Sequence, residues 1–256
     1  MNYLFAVVLG VVQGITEFLP ISSTGHLILT SNLLYLPATE FWKSFEIAIQ
    51  LGSILAVVAL YAKKYITNVP VIKKIIVAFL PTAILGLVFY KLIKKFLLGN
   101  ATVVLWALLL GGVALIIFEL LYKEKLAATE EISAISYKQC LLIGLCQSVA
   151  MVPGVSRSAA TVVGGLALGL KRKTIVEFSF LLAVPTMLAA TGLDLLKSAG
   201  SFQAGDFGVL AVGFVVSFIV ALFSIKFLLN FIKKHTFLPF GIYRVVAAIL
   251  FWMVIL

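Results

Sequence analysis

Charged residues are scarce in this sequence of 256 residues, at 12% of the chain, and only 10 of them are acidic. Hydrophobic residues make up 62% and the mean hydropathy is +1.18, whereas an ordinary soluble domain is roughly 45–50% apolar. No segment is polar enough to form a soluble domain. These shortages indicate a polytopic membrane protein, with room for about six to eight spans of roughly 20 residues.

Several common functional signatures are also missing. Cys140 and Cys146, the only cysteines, lie six residues apart in an apolar run. This spacing suits neither a zinc site nor a disulfide, so both are interpreted as packing residues. The amino-terminal stretch lacks a basic start and a small-residue cleavage site, so we expect it to remain in the fold. Residues 165–171 lack the GKS or GKT ending of a nucleotide-binding loop. No redox centre, cleaved leader or nucleotide site is therefore predicted.

What the chain does contain is a series of apolar stretches of bilayer length, two of them interrupted by polar residues. Residues 3–36 and 139–170 are the interrupted ones, and each is interpreted as a helix, a break and a return. The polar segment 123–136 divides the remaining stretches into two sets of three. These uninterrupted stretches are residues 45–62, 75–92, 102–122, 174–196, 207–229 and 240–256.

The two sets resemble each other at a steady offset of 131–134 residues: GVVQ at 10–13 matches GLCQ at 144–147, and FE at 45–46 matches VE at 176–177. Because three spans per half is an odd number, the second half must enter the membrane from the opposite side. This is an inverted repeat, and its broken segments should face each other near the midplane. We therefore predict an all-α polytopic membrane protein in which each half has one re-entrant helix pair and three transmembrane helices. The single domain 1–256 would comprise the halves 1–122 and 137–256 and the linker 123–136.

Basic residues give the chain a net charge of +10. They stand at the ends of apolar spans and not on one amphipathic face, so membrane topology explains them better than nucleic-acid binding does. The predicted topology assigns thirteen of them to one side and five to the other. The positive-inside rule makes the first side cytoplasmic. Both termini and the mouth of the first broken segment would then face outward, and the second broken segment would enter from the cytoplasm.

The first broken stretch, QGITEFLPISSTGHL at 13–27, places polar side chains in apolar sequence, where an ionisable group is costly and indicates a functional site. Glu17 and Gln13 are four residues apart, so on a helix they share a face and could hold a cation or a water. The alternative is a protonated Glu17 bonded to Gln13. His26 can give or take a proton near neutral pH, which phosphoryl and acyl transfers both require.

The second broken stretch, QSVAMVPGVSRSAAT at 147–161, adds a cation. In both stretches hydroxyl residues follow a helix breaker, where exposed backbone N–H groups and a helix N-terminus form an anion nest. The planar fork of Arg157 suits phosphate oxygens, although it could instead pair only with Glu17. Singly, the hydroxyls could be structural, bonding back to their own helices. Together, nest, arginine, acid and histidine indicate phosphoryl chemistry on a membrane-embedded substrate.

These two stretches resemble the motifs of a known family. QGITEFLPISSTGHL is similar to the (E/Q)xxxE and PxSSTGHL signature of the undecaprenyl-diphosphate phosphatases of the bacitracin-resistance (BacA/UppP) family, and PGVSRSAAT is similar to that family's PGxSRSxxT. Further similarity at 45–58, 177–187 and 238–244 extends the resemblance over nearly the whole chain. It implies six spanning helices and two re-entrant pairs in inverted repeats, in agreement with the organisation derived from spacing and charge.

The resemblance also implies roles for individual residues. Glu17 matches the essential acid, and Ser23 and His26 match the catalytic pair. Gln13 stands where many members have glutamate, so one charge fewer is available for the divalent cation, Mg²⁺ or Ca²⁺, on which the family depends. Arg244 matches a family arginine that could anchor a headgroup or carbonyls or take part in catalysis. The expected catalytic residues are Glu17, Ser23, His26 and Arg157; the expected phosphate-binding residues are Ser22, Thr24, Gly154, Ser156, Ser158, Thr161 and Arg244; the expected metal ligands are Glu17 and Gln13.

The implied activity is removal of the terminal phosphate from a polyprenyl diphosphate at the outer face of the cytoplasmic membrane, which recycles the lipid carrier of peptidoglycan synthesis and confers bacitracin resistance. Either Ser23 or a water could attack the phosphorus. A lipid-phosphate flippase or transporter is the alternative, because inverted repeats with broken helices are also a transporter architecture. The expected partners are the lipid and the membrane, with no nucleic acid, and a homodimer is left open.

Overall fold

The protein is described here by a computed structural model that covers residues 3–37, 39–65, 67–92, 100–124, 128–198 and 206–255. Within these ranges all regular structure is helical apart from one isolated backbone bridge, between Thr129 and Leu170. Ten α-helices follow one another along the described residues. They are α1 Tyr3–Thr16, α2 Ser23–Leu33, α3 Glu40–Tyr65, α4 Val69–Leu92, α5 Ala101–Leu121, α6 Tyr137–Ser148, α7 Arg157–Ala167, α8 Arg172–Ser198, α9 Asp206–Phe231 and α10 Leu238–Ile255.

The predicted all-α membrane fold is confirmed. Among the described residues, five helices are long and apolar enough to cross a bilayer: α3, α4, α5, α8 and α9. The sixth predicted span, 240–256, corresponds to α10, whose 18 residues make it the shortest of the set. Helices α3 and α4 begin five and six residues before the predicted starts at 45 and 75, because the helices continue into their polar ends beyond the apolar stretch that a bilayer requires.

Both predicted breaks are present and are built alike. Residues 17–22 separate α1 from α2, and a short 3₁₀ turn, Val149–Met151, and residues 152–156 separate α6 from α7. The last residue of each break is a serine in the left-handed region: Ser22 has φ 73° and Ser156 has φ 75°. Each serine Oγ accepts a hydrogen bond from a backbone N–H three residues on, Gly25 N and Ala159 N, and so caps the returning helix.

The helices pack as expected of a two-fold repeat, because a contact between two helices recurs between their counterparts in the other half. The order α1–α5 recurs as α6–α10. Helix α1 packs on α9, and its counterpart α6 packs on α4, the counterpart of α9. Likewise α3 packs on α9 and α8 on α4, while α3 meets α8 and α5 meets α10 directly. The residue limits predicted for the halves, 1–122 and 137–256, stay a prediction, since helix packing does not define them.

Small residues allow these helices to approach closely, as is common in membranes. A Cβ on Gly10 or Gly14 of α1 would meet backbone carbonyls of α9 at 2.8 Å, and one on Gly144 of α6 would meet Ala78 O of α4 at 2.0 Å. Larger side chains at these positions would push the helices apart. Helices α1 and α6, which lead into the two breaks, are therefore held against the long helices α9 and α4.

The basic ends of the helices meet at one end of the molecule. Arg172 at the start of α8 donates to Glu119 near the end of α5, with Nη2 to Oε2 at 2.9 Å. Lys64 at the end of α3 lies 3.9 Å from Glu177 of α8. Lys74 of α4 donates to the Ser133 carbonyl in the linker region. Three of the loops assigned to one side by the charge count thus contact one another, while the assignment of the remaining loop and of the membrane face stays a prediction.

Candidate active site

The two breaks face each other, as the sequence predicted. Ser158 Oγ, near the start of α7, donates to the Leu19 carbonyl of the first break at 2.8 Å. Arg157, also at the start of α7, donates to Glu17 across the same gap. The N-termini of α2 and α7 therefore converge, and their positive dipole ends favour an anion between them.

The Glu17 carboxylate, which is 5% exposed, accepts hydrogen bonds from three residues of the site. Its Oε1 accepts from Arg157 Nη2 at 2.8 Å. Its Oε2 accepts from Ser23 Oγ at 2.6 Å and from Gln13 Nε2 at 2.9 Å. The structure thus pairs Gln13 with Glu17, as their spacing predicted, and it aims the Ser23 hydroxyl at a carboxylate that could take its proton.

Arg157 has two separate partners. While Nη2 contacts Glu17, Nη1 donates to the Ser179 carbonyl of α8 at 2.9 Å, and Nε is buried without a hydrogen-bond partner. The Thr161 hydroxyl lies 2.6 Å from the Ser179 hydroxyl and so packs under this contact. An ion pair with Glu17 is present, but it uses only one of the arginine's nitrogens. Donor capacity for an anion remains on the guanidinium.

Gly154 is required by the geometry of the second break. Its φ is +97°, a conformation open to glycine at no steric cost. A Cβ there would also meet Val104 O at 2.6 Å and Ala107 Cβ at 2.8 Å, both on α5. The glycine therefore lets the break lie directly on α5 and sets the direction in which α7 begins.

Among the described residues, no hydrogen bond joins His26 to Ser23. Its Nδ1 lies 2.8 Å from the Ser22 carbonyl and its Nε2 lies 2.8 Å from the Tyr243 hydroxyl of α10, whose ring stacks on the imidazole. The histidine thus ties the strained Ser22 backbone to α10. Its predicted part in proton transfer stays a prediction, and the residue that the Ser23 hydroxyl contacts is Glu17.

Arg244 is fully buried and binds carbonyls of both breaks. Its Nη1 donates to Val155 O at 2.9 Å and to Pro20 O at 3.4 Å, and its Nη2 donates to Gly154 O at 2.9 Å and to Ala107 O at 3.0 Å. Nε reaches a further carbonyl on α5. Of the interpretations left open by the sequence, the structure favours the carbonyl anchor, because every nitrogen of this guanidinium is already donating.

Ser158 and Thr161 are also turned toward protein and not toward open space. Ser158 joins the breaks and contacts the Ser156 hydroxyl at 3.1 Å. Thr161 Oγ1 bonds back to carbonyls of its own helix at 3.0 Å. Both are buried. They shape the loop that positions Arg157, so they would influence phosphate binding by way of the position of that residue.

A cavity of about 500 Å³ opens beside this centre. Seven of the predicted residues line it: Glu17, Ser22, Ser23, Thr24, Gly154, Ser156 and Arg157. Its other wall is formed by α4 and α8, where Leu87, Ala189 and Ala190 are exposed on the outer surface of the fold. The cavity therefore leads from a charged centre to an apolar mouth between two membrane-spanning helices.

The residues can be tested for the predicted divalent cation. Within the described chain no group of three or more His, Cys, Asp or Glu side chains is gathered as a metal site. Gln13 Oε1, however, is a buried oxygen without a partner, and it belongs to the residue that contacts Glu17. Mg²⁺ is commonly bound by one or two carboxylates together with substrate phosphates. Glu17 and Gln13 supply oxygens of the type that such a cation takes, but the Gln13 amide turns its nitrogen toward Glu17, so the shared cation site stays a prediction.

Some residues at the site were not found from the sequence. Ser179 and Tyr243 lie in apolar spans and contact Arg157 and His26. Thr82, Gln147 and Thr186 line the cavity. The signal for Gln147 was its match to Gln13 in the repeat, and the signal for the two threonines was that each follows a proline inside a helix.

Together, the fold and the site define a polytopic membrane protein with a carboxylate–arginine–serine centre between two helix breaks and a cavity that has an apolar mouth between α4 and α8. Residues 6–250 match the family model described as bacitracin resistance protein BacA. The chain belongs to this family.

Curated relatives are similar over almost their full length. The chain is 56% identical to a protein named undecaprenyl-diphosphatase from Sulfurihydrogenibium sp. (strain YO3AOP1), over 99% of each chain. It is 53% identical to one of the same name from Aquifex aeolicus, over 96% of each chain. A third, from Wolinella succinogenes, is 49% identical over 98% of this chain and 97% of the relative.

Proposed function

We propose that this protein hydrolyses undecaprenyl diphosphate to the monophosphate and phosphate. The observation that carries the proposal is the cavity that joins the Glu17–Arg157–Ser23 centre to an apolar mouth between α4 and α8. Such a cavity can admit a polar headgroup while its prenyl chain stays in the bilayer. The names of the relatives give the same substrate.

In the proposed reaction the terminal phosphate lies between the N-termini of α2 and α7, where their dipole ends and Arg157 offset its charge. The Ser23 oxygen, or a water held in its place, attacks phosphorus as its proton passes to Glu17 at 2.6 Å. The bridging P–O bond breaks and the lipid monophosphate leaves. If Ser23 attacks, a water then releases phosphate from the serine. Positioning and charge stabilisation supply most of the catalysis in such transfers.

Glu17 and Gln13 are the residues that would hold a divalent cation, Mg²⁺ or Ca²⁺, next to the diphosphate. A bound cation would offset the charge that develops on the phosphate oxygens. Arg157 already balances Glu17, so the cation would be retained mainly when the substrate's own oxygens complete its ligands.

The cellular setting is part of the proposal. Thirteen of the basic residues fall at one end of the predicted topology, which supports a cytoplasmic location of that end in the cell membrane. The mouth of the cavity, near the carboxyl ends of α4 and α8, would then lie toward the outer face. Hydrolysis there would recycle the lipid carrier of peptidoglycan synthesis and confer bacitracin resistance.

A lipid-phosphate flippase remains the second candidate, and the two-fold exchange of helix contacts is the observation that favours it. The charges of the site are not symmetric, however. At the offset of 134 residues that relates Gln13 to Gln147, Glu17 corresponds to Met151. A one-sided centre suits a reaction at one face better than a carrier that must present equivalent sites to both faces.

The test is phosphate release from undecaprenyl diphosphate by the purified protein in lipid nanodiscs. We expect turnover in the wild type and its loss in Glu17→Gln, with the folded fraction of both checked by thermal unfolding. Release in the wild type at no more than the rate of empty nanodiscs would reject the enzyme. Transfer of a labelled lipid phosphate across a vesicle bilayer, measured in parallel, would then favour the flippase.

A further inference from the structure

Three neutral polar residues form a second polar group in the cavity wall, outside the proposed catalytic centre: Thr82 of α4, Gln147 of α6 and Thr186 of α8. Gln147 Nε2 donates to Thr82 Oγ1 at 2.9 Å and to Thr186 Oγ1 at 3.2 Å. We call this group the amide cluster. It joins three helices at one point of the cavity.

The amide cluster leaves one atom unsatisfied. Gln147 is 1% exposed and its Oε1 has no hydrogen-bond partner. An unpaired polar atom in a buried place is energetically unfavourable. Because Gln147 also lines the cavity, a group bound in the cavity could complete this contact.

Gln13, the counterpart of Gln147, also has an unpaired Oε1, but the orientation of its amide is fixed by its neighbours. Its Nε2 donates to the Glu17 carboxylate, which can only accept, so the Gln13 amide must keep its nitrogen on that side. The partners of Gln147 are hydroxyls, which can either accept or donate. The orientation of the Gln147 amide is therefore not fixed by its neighbours.

A half-turn of the Gln147 amide gives an alternative network. Oε1 would then accept from Thr82 and Thr186, whose single hydroxyl protons would turn away from the Gly144 and Leu182 carbonyls to which they donate in this structure. The NH₂ group would occupy the place of the unpaired oxygen and could donate to an anion. An anionic ligand would select this orientation, because it removes the unpaired atom and adds a hydrogen bond to a charged group.

The position of the cluster determines which part of the substrate it would meet. Thr82 lies one turn before Gly86 on α4, and Thr186 lies one turn before Ala190 on α8, both part of the apolar wall. The cluster is therefore next to the region that would take the prenyl chain, whereas Arg157 and Ser23 belong to the end that would take the terminal phosphate. The phosphate nearest to the chain is the group that belongs at this border.

We propose that Gln147, oriented by Thr82 and Thr186, is a positioning residue that donates to the lipid-side phosphate of the substrate. The identity of the lipid rests on the proposed function. The proposed contact itself is a matter of binding and does not require turnover. We therefore expect that the contact persists in the product, a polyprenyl monophosphate, and is absent for inorganic phosphate.

The experiment is equilibrium binding to the full-length protein in nanodiscs, using undecaprenyl monophosphate and inorganic phosphate as separate probes. Gln147→Glu keeps the shape but replaces the donor with an acceptor. We expect it to weaken binding of the lipid monophosphate at least about tenfold, the effect of one hydrogen bond to a charged group. Binding of inorganic phosphate should not change, and where turnover is measured KM should rise more than kcat falls.

Gln139→Glu is the matched control. It is the same substitution on the same helix, at the capping box of α6, where glutamate also accepts from the Ser136 N–H. It likewise removes an amide donor, here to the Leu168 carbonyl, which is not part of the cavity wall. Should Gln147→Glu fail to fold, Gln147→Met removes the donor without adding charge. It is expected to weaken binding of the lipid monophosphate and to leave binding of inorganic phosphate unchanged.

Equal binding of the lipid monophosphate to the wild type and to the folded Gln147 variants would overturn the inference and leave the unpaired oxygen as a site for water. Equal weakening of both probes would also overturn it, because the residue would then serve the terminal phosphate. A wild type that binds the lipid monophosphate without turnover would contradict the proposed function and still decide this inference.

Discussion

The Ser23 hydroxyl lies 2.6 Å from the Glu17 carboxylate, and this short contact connects the starts of two helices. Ser23 is the first residue of α2, and Arg157, at the matching position of α7, contacts the other oxygen of the same carboxylate. Glu17 thus stands between the two halves of the repeat with a hydroxyl from one and a guanidinium from the other.

Glu17 and Ser23 should behave as one unit in catalysis. Glu17→Gln is expected to reduce turnover at least about a hundredfold, the usual loss for a general base, while binding of the lipid diphosphate survives. Ser23→Ala should cost a similar factor, and the double variant should be no slower than either single one. Single-turnover phosphate release measures all three. Independent, multiplying losses would show that the attacking oxygen is not that of Ser23.

Arg157→Lys should retain charge and lose function. One ammonium cannot contact both Glu17 and the Ser179 carbonyl as the two guanidinium nitrogens do. We expect a loss of about 2–4 kcal/mol of transition-state stabilisation, or roughly thirtyfold to a thousandfold in rate. Arg172→Lys, which alters the ion pair with Glu119 at the basic end, is the control and should stay near the wild-type rate. Near-normal turnover of Arg157→Lys would reject the phosphate contact.

Arg244 is expected to act on stability. Arg244→Met would remove the side-chain donors to carbonyls of both breaks and of α5, at a cost of about 3–5 kcal/mol, comparable to breaking a buried charged contact. Thermal unfolding in detergent should register a large decrease in melting temperature. At temperatures where the variant is folded, activity per folded molecule should be close to that of the wild type. A stable but inactive variant would instead assign Arg244 to substrate.

Gln13→Glu should strengthen the dependence on a divalent cation. The substitution replaces the amide that donates to Glu17 with a second carboxylate, and Arg157 alone cannot balance both. We expect the half-maximal Mg²⁺ concentration for turnover to fall about tenfold, equivalent to 1.4 kcal/mol. Activity after chelation should be lower than in the wild type. An unchanged Mg²⁺ titration would move the cation away from Gln13 and Glu17.

Membrane orientation can be checked with cysteine labelling. In a background without Cys140 and Cys146, a cysteine near Lys73 should react with a membrane-impermeant thiol reagent only after the membrane is permeabilised. A cysteine added after Leu256 should react with the same reagent from outside. The reason is the asymmetry of thirteen basic residues against five under the positive-inside rule. Labelling of both from the same side would contradict the predicted topology.

Sequence alone determined the helical class, the two breaks and the residues that meet there. The costs of burying charge and of exposing backbone in hydrocarbon are large and local, so they can be read from the spacing of Glu17, Pro20, Gly154 and Arg157 along the chain. The pairing of Gln13 with Glu17 followed from their separation by four residues on a helix, and the structure confirms it.

Only the tertiary structure decided which neighbour each polar group takes. His26 was expected to work with Ser23, yet its ring nitrogens contact the Ser22 carbonyl and Tyr243, 217 residues away. The Arg244 guanidinium is directed to carbonyls that belong to three separate segments. A hydrogen bond depends on distances of a few tenths of an ångström and on direction. Spacing in the chain fixes those distances only within one helix, so contacts between helices were set by packing.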